Sequence, residues 1–349
     1  MTSNKIIEED LRAIYNSNID WDRFANKCIL ISGANGFLPA YMVESLLFAN
    51  VINPKIDLKV LALVRNIEKA KQRFKDYLDN KNLEFIEQDV CNKIKITQKV
   101  DYIIHAASQA SPKYYGVDPV GTLSANVIGT MNMLELAKQN QVDSFLYFSS
   151  GEVYGQVEDG FNPVKEDYYG YLDPMAVRSC YGESKRMGEN MCVSYLHQYK
   201  VKAKVVRPFH TYGPGMDLKD GRVYADFVSN ILNNKAIELK SDGSARRAFC
   251  YLPDAVTGFF TVLLLGKNGE AYNVGNPFAE HSILELANII SKIGDEPVEV
   301  IKMPTNDNNF YMKSPLIRNT PNIEKVMELG WKPVVGAKEG FTRTYKSYK

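Results

Sequence analysis

From Lys27 onward the chain alternates between two hydrophobic periods. Short runs are rich in apolar, β-forming residues: CILIS (28–32), LKVLALV (58–64), LEFIEQD (83–89), VDYIIHAA (100–107), SFLYFSS (144–150) and KAKVVRPF (202–209). Between them lie helical patterns at Ala40–Ala49, Ile67–Asp79, Gly121–Gln139 and Tyr181–Gln198. Continuous apolar runs read as strands buried on both faces, and strands separated by helices pair in parallel. The expected fold is therefore α/β, a Rossmann-type doubly wound parallel sheet. Residues 1–26 read as an acidic helical extension and 27–212 as the dinucleotide-binding domain. After Gly213 the pattern turns to loops, short strands and helices, so 213–349 reads as a smaller α/β substrate lobe with some chain crossing back. The run FFTVLLLG is far too short to span a membrane and predicts a buried helix.

Composition narrows the class. A net charge of +1 across 349 residues gives no reason to expect a nucleic-acid or anionic-membrane partner. The 5 cysteines are odd in number and scattered, so neither a disulfide framework nor a zinc knuckle is expected. A reducing, cytoplasmic setting follows, and the polar start MTSNKIIEEDLR lacks the apolar centre of a signal peptide. His197, His210 and His281 show no ligand spacing, and no metal is expected.

The first candidate chemistry is the turn ISGANGFLPA, between the first strand and the first helix of the sheet. Gly33 and Gly36 there let backbone approach a pyrophosphate at a helix N-terminus, with Asn35, Phe37 and Leu38 beside it. Pro39 stands where a third glycine is usual. The second strand ends in Arg65 rather than an acid, which leaves both NAD and NADP open. Asp89 and Val90 follow the third strand and suit the adenine; Ala106, Ala107 and Ser108 follow the fourth and suit the ribose and diphosphate. A lone His105 reads as a satisfied interior histidine.

The second candidate is SSGEVYG with the later YGESK. Tyr181 and Lys185, at i and i+4 on a helix, share a face. An ammonium beside a phenol lowers the phenol's pKa, and a phenolate can take the proton of a sugar hydroxyl. Ser150 would bond the same hydroxyl, and Glu152 adds a carboxylate for a second proton transfer.

These residues, in this order, resemble the extended short-chain dehydrogenase/reductases that act on nucleotide sugars, over residues 27–340. The likeness is greatest to UDP-glucuronate decarboxylases and extends to nucleotide-sugar 4,6-dehydratases. It is carried by HAASQASPKYYGVDPVGTLSANVIGTMNMLELA, RSCYGESKR, GPGMDLKDGRVYADF, SARRAFCYLPD and NVGNP. The resemblance implies catalytic roles for Ser150, Glu152, Tyr181 and Lys185, and adds Asn126 and Pro208 to the NAD(P) contacts. It implies Ser111, His210, Arg222, Val223, Arg247 and Arg318 as contacts of a nucleotide-diphosphate sugar. His210 and Gly215 depart from the family's asparagine and arginine, and Gly151 stands where 4,6-dehydratases often carry an acid.

The implied reaction is oxidation of the sugar at C4, followed by decarboxylation or dehydration. Epimerisation or net 4-oxidation is the alternative, and an inactive NAD(P)-binding scaffold the rival from another class. Apolar stripes MNMLELA and MCVSYL on two outward helices predict a homodimer.

Overall fold

The computed structural model describes residues 2–303 and 317–349. Its centre is a 7-stranded sheet in the order β11-β6-β5-β4-β1-β2-β3, every pairing parallel. The first six strands are β1 (Cys28–Ser32), β2 (Lys59–Val64), β3 (Leu83–Glu87), β4 (Tyr102–His105), β5 (Ser144–Phe148) and β6 (Ala203–Pro208). Several end a residue or two inside the apolar runs of the sequence. Ala106, Ala107, Ser149 and Ser150 leave the sheet to form loops at its carboxyl end.

Alternation along each strand divides the core in two. Ile29, Ile31, Val60, Ala62, Ile104 and Leu146 face one layer, with α1 (Lys5–Tyr15), α2 (Phe37–Ile52) and α8 (Leu252–Leu265). Leu30, Leu61, Leu63, Ile103, Phe145 and Tyr147 face the other, covered by α5 (Pro119–Asn140) and α6 (Ser179–Tyr199). α3 (Ile67–Arg73) packs beside the edge strand β3, and the short α4 (Pro112–Tyr115) beside α5. α3 stops short of the expected Asp79 because Phe74 turns its ring into the core against Phe85 and a 3-10 turn follows at Lys75–Tyr77.

The second lobe has its own core around Tyr212, Phe227, Leu286 and Phe341. It contains α7 (Val223–Leu232), α9 (Ile283–Ile290), α10 (Glu324–Met327) and α11 (Ala337–Ser347). Its short strands are β7 (Thr211–Tyr212) with β10 (Cys250–Tyr251), β8 (Ile237–Leu239) with β13 (Val300–Lys302), and β9 (Arg246–Ala248) between β12 (Glu280–Ser282) and β14 (Arg318–Asn319). The chain returns to the large sheet through α8 and β11 (Ala271–Val274), which pairs with β6.

The N-terminal helix is integrated rather than appended. Asp10 accepts hydrogen bonds from Tyr41 in α2 (2.9 Å), Tyr251 in β10 (2.7 Å) and Arg343 in α11 (2.7 Å), so one carboxylate ties α1 to both lobes. No helix among the described residues is long and apolar enough to cross a membrane.

The outward stripes need a correction. Met133, Leu134, Leu136, Ala137 and Cys192 pack inward against this chain's own sheet. The large apolar side chains that α5 and α6 leave exposed are Val120, Leu123, Ile128, Met131, Met187, Val193 and Tyr199.

Candidate active site

One cavity of about 1380 Å³ opens at the carboxyl end of the sheet, spanning both lobes. It lies over β1 and β4, where the strand order reverses, which is where open α/β sheets bind ligands. Gly33, Asn35, Gly36, Phe37, Leu38, Arg65, Asp89, Val90, Ala106, Ala107 and Ser108 line one side. Ser150, Glu152, Tyr181, Lys185, Pro208, His210, Arg222, Val223 and Arg247 line the rest.

The glycine turn has the shape a dinucleotide requires. Gly33 has φ +65°, and a Cβ there would stand 2.7 Å from Ala107 Cα. Gly36 is the N-cap of α2 with no side-chain cap, so the helix's first N–H groups face the cavity unscreened. Pro39 fits in the first turn, where its missing N–H has no helical partner to lose.

Beneath this turn a buried relay fixes the loop. Ser32 Oγ accepts from the backbone N–H groups of Ala106 (3.2 Å) and Ala107 (3.3 Å), and it contacts His105 Nδ1 at 2.7 Å. With both acceptor positions used, Ser32 must donate to Nδ1. His105 then carries its proton on Nε2 and donates to Thr130 Oγ1 (3.1 Å), which donates to the Asn126 carbonyl (2.5 Å). Burial, then the charge of Lys185, lowers His105 to about 3. The interior histidine expected from sequence is thus neutral and satisfied.

The hydroxyl, carboxylate, phenol and ammonium converge. Ser150 and Glu152 sit on the turn after β5, while Tyr181 and Lys185 come from one face of α6. Tyr181 stacks on Tyr115 at 4.9 Å between ring centroids. Burial pushes the phenol up to about 12, and its hydrogen bond with Ser150 acts the other way. Lys185 donates to the Phe148 carbonyl (2.7 Å), and its Nζ lies 5.7 Å from the Tyr181 ring centroid. Burial lowers it to about 7, against the pull of Glu189. The expected lowering of the phenol by the lysine is therefore not present in this state: desolvation dominates both groups.

Three expected contacts lie elsewhere among the described residues. Asn126 is fully buried and donates to Ser184 Oγ (2.9 Å). Ser111 donates its hydroxyl to the Asp220 carbonyl (2.6 Å). Arg318 is held by Glu280 (2.8 Å). Each side chain is committed to a protein partner rather than to the cavity wall, Asn126 in the interior and Ser111 and Arg318 nearer the surface.

Sequence reading also missed residues. Arg178 forms a forked pair with Glu152, Nη1 to Oε2 at 2.9 Å and Nη2 to Oε1 at 3.3 Å. It lies three residues before Tyr181 in RSCYGESKR, so the signal was in a motif already singled out. Tyr115, from SPKYYG, and Lys69, one turn beyond Arg65, also line the cavity. Ser108 Oγ, His210 Nδ1 and Asn319 Oδ1 are buried on its wall with no hydrogen-bond partner among the described residues. Orphaned buried polar atoms are rare, and the presence of three around one cavity fits a polar ligand. His210 is held neutral, well below its ordinary value, by burial and by Arg247 and Arg222.

The NAD dependent epimerase/dehydratase family model matches residues 29–275. The chain belongs to that family. UDP-glucuronic acid decarboxylase 1 of Danio rerio is 36% identical over 92% of this chain and 72% of its own length. UDP-glucuronic acid decarboxylase 3 of Arabidopsis thaliana is 36% identical over 90% of this chain and 87% of its own. The fold matches UDP-glucuronic acid 4-epimerase from Bacillus cereus, solved with UDP-glucuronic acid and NAD, at a TM-score of 0.77 and 23% identity, covering 92% of this chain and 98% of that one.

Proposed function

We propose that this family member is a nucleotide-sugar lyase that oxidises C4 of UDP-glucuronate and decarboxylates the product, as a homodimer with bound NAD. The observation that carries this reading is the convergence of Ser150, Glu152, Tyr181 and Lys185 on the wall that continues from the glycine turn. The decarboxylase relatives support the substrate.

The residues fit a dinucleotide: Gly33 and the N-terminus of α2 would hold its pyrophosphate, with Asp89 and Val90 toward the adenine. When bound, the oxidised nicotinamide supplies a hydride acceptor at the sugar carbon and later returns the hydride. Arg65 and Lys69 at the rim also suit a 2′-phosphate, and titration with NAD and NADP separates the two.

The chain's own residues handle the protons. Ser150 Oγ orients the C4 hydroxyl, and Tyr181 Oη takes its proton, an arrangement that needs the phenol brought down from about 12 by positive charge in the cavity. Once C4 is a ketone, the sugar is a β-keto acid. The C5–C6 bond breaks, its electrons pass into the ketone, and CO₂ leaves. Dehydration would need a proton donor for the departing hydroxyl, and with Gly151 offering none that duty would fall on Glu152 alone. A Cβ there would meet the Phe209 ring at 3.0 Å, a tight contact that a larger side chain would have to relieve.

The exposed Leu123, Ile128, Met131, Met187 and Val193 on two adjacent helices support the dimer. The 5 cysteines, all free, support a reducing cytoplasmic setting. The test is incubation of the purified protein with UDP-glucuronate and mass spectrometry of the nucleotide sugar. Loss of the mass of CO₂ is expected. An unchanged mass, or loss of water, overturns the assignment.

A further inference from the structure

We propose that Arg178 is the residue that recognises the sugar carboxylate, and that it does so by exchanging Glu152 for the substrate. The inference rests on the nucleotide-uronate reading above and adds how the site tells a uronate from a neutral hexose.

Arg178 immediately precedes α6, three residues before Tyr181. Its guanidinium is 5.9 Å from the ring centroid of Tyr115, which in turn stacks on Tyr181. Arg178, Glu152, Ser150 and Tyr181 all line the same cavity. Arg222 is paired with Asp220 at 3.0 Å, and Arg247 donates to the carbonyls of Arg246 (2.7 Å) and Ile317 (3.2 Å). Of these three arginines, Arg178 is the one whose guanidinium forks onto Glu152, the carboxylate of the reacting group.

The fork has two nitrogens turned to one carboxylate, and Glu152 occupies both. In that state each Glu152 oxygen is engaged by a guanidinium donor. A neutral hexose brings nothing that competes for the fork. A uronate brings a second carboxylate, and two carboxylates cannot both take the same bidentate position. As the sugar carboxylate takes Arg178, Glu152 turns free beside a like charge, an arrangement that favours protonation of one carboxylate, with the proton drawn from solvent.

Decarboxylation reverses the exchange. The C5–C6 bond breaks, its electron pair forms the C4 enolate, and CO₂ departs without charge. C5 then takes the proton from the Glu152 carboxyl oxygen as the enolate becomes a ketone, and the restored carboxylate returns to Arg178. The net consumption is one proton per CO₂ released.

The test measures binding rather than turnover, so every sample keeps its retained dinucleotide and carries Tyr181→Phe, which blocks C4 oxidation. Affinities for UDP-glucuronate and UDP-glucose are measured by calorimetry on this otherwise wild-type protein and with Arg178→Gln, Arg178→Lys or Glu152→Ala added, each checked for fold by circular dichroism. A charge-assisted bidentate pair corresponds to about 10- to 100-fold in affinity. The otherwise wild-type protein should favour the uronate by roughly that factor, and Arg178→Gln should remove the preference while leaving UDP-glucose within about 2-fold. Arg178→Lys should keep part of it, since a point charge replaces a fork. Glu152→Ala should tighten uronate binding, because the internal competitor is gone.

An unchanged preference in Arg178→Gln overturns the proposal, as does equal weakening of both ligands. Weaker uronate binding in Glu152→Ala overturns the exchange. Arg178-dependent preference without CO₂ release by the unaltered enzyme would sustain recognition and refute the decarboxylase reading. CO₂ release without the preference would do the reverse. If neither ligand binds the otherwise wild-type protein, both fall.

Discussion

Protonating His105 should break the relay under the glycine turn, and the cost can be worked from the structure. In the folded chain Nδ1 accepts from Ser32, whose other bonds hold the Ala106 and Ala107 N–H groups. A proton on Nδ1 removes that acceptor and forces Ser32 to release one of them. The folded value is about 3 against an ordinary 6.5, so the group is depressed on folding. Its neutral form is favoured in the folded state. Stability is therefore lost as pH falls below 6.5, where the unfolded chain takes up a proton the folded chain refuses.

Linkage gives a loss of about 2 kcal/mol between pH 7 and pH 5 from this histidine alone. The assay is urea denaturation at both pH values on wild type and on His105→Asn, which cannot titrate. The variant starts less stable but should lose about 2 kcal/mol less than wild type on acidification. Equal losses would refute both the neutral tautomer and the relay built on it.

Other outcomes follow from single contacts. Gly33→Ala should leave a folded protein that no longer retains dinucleotide, read from the supernatant after denaturation, because the new Cβ stands 2.7 Å from Ala107 Cα. Tyr181→Phe should cut C4 oxidation by ~100- to 10,000-fold, measured as nicotinamide reduction in a single turnover. Glu152→Gln should keep that first absorbance change and stall the later protonation of C5, so that the nicotinamide stays reduced after CO₂ has left. Arg73→Ala leaves Glu44, 2% exposed, without its 2.7 Å partner, and should lower stability by about 3–5 kcal/mol in thermal or chemical denaturation. Met131→Asp combined with Val193→Asp should convert a dimer to a monomer in light scattering, and an unchanged mass would point to another interface.

Local pattern alone determined the sheet. Strands buried on both faces must be apolar at successive positions, which made most of the runs from Cys28 to Pro208 readable, as was the glycine turn; the edge strand β3, only partly buried, is the exception. The i, i+4 spacing of Tyr181 and Lys185 placed both on one face without any knowledge of the fold. Strand ends were less legible, because Ala106, Ala107, Ser149 and Ser150 continue the run while leaving the sheet. Their departure is decided by pairing with neighbours, which periodicity does not contain.

Tertiary structure alone decided what each polar group touches. Arg178 and Glu152 meet across 26 positions, and Asp10 and Arg343 across 333, separations at which no local rule applies. Burial is likewise a property of the whole molecule. It raises Tyr181 to about 12 and lowers Lys185 to about 7, reversing the simple expectation that the lysine acidifies the phenol. The same holds for Asn126, Ser111 and Arg318, whose side chains are taken up by Ser184, Asp220 and Glu280. A residue's type and spacing specify what chemistry it can offer. Which partner claims it depends on distance and dielectric, and those exist only once the chain has folded.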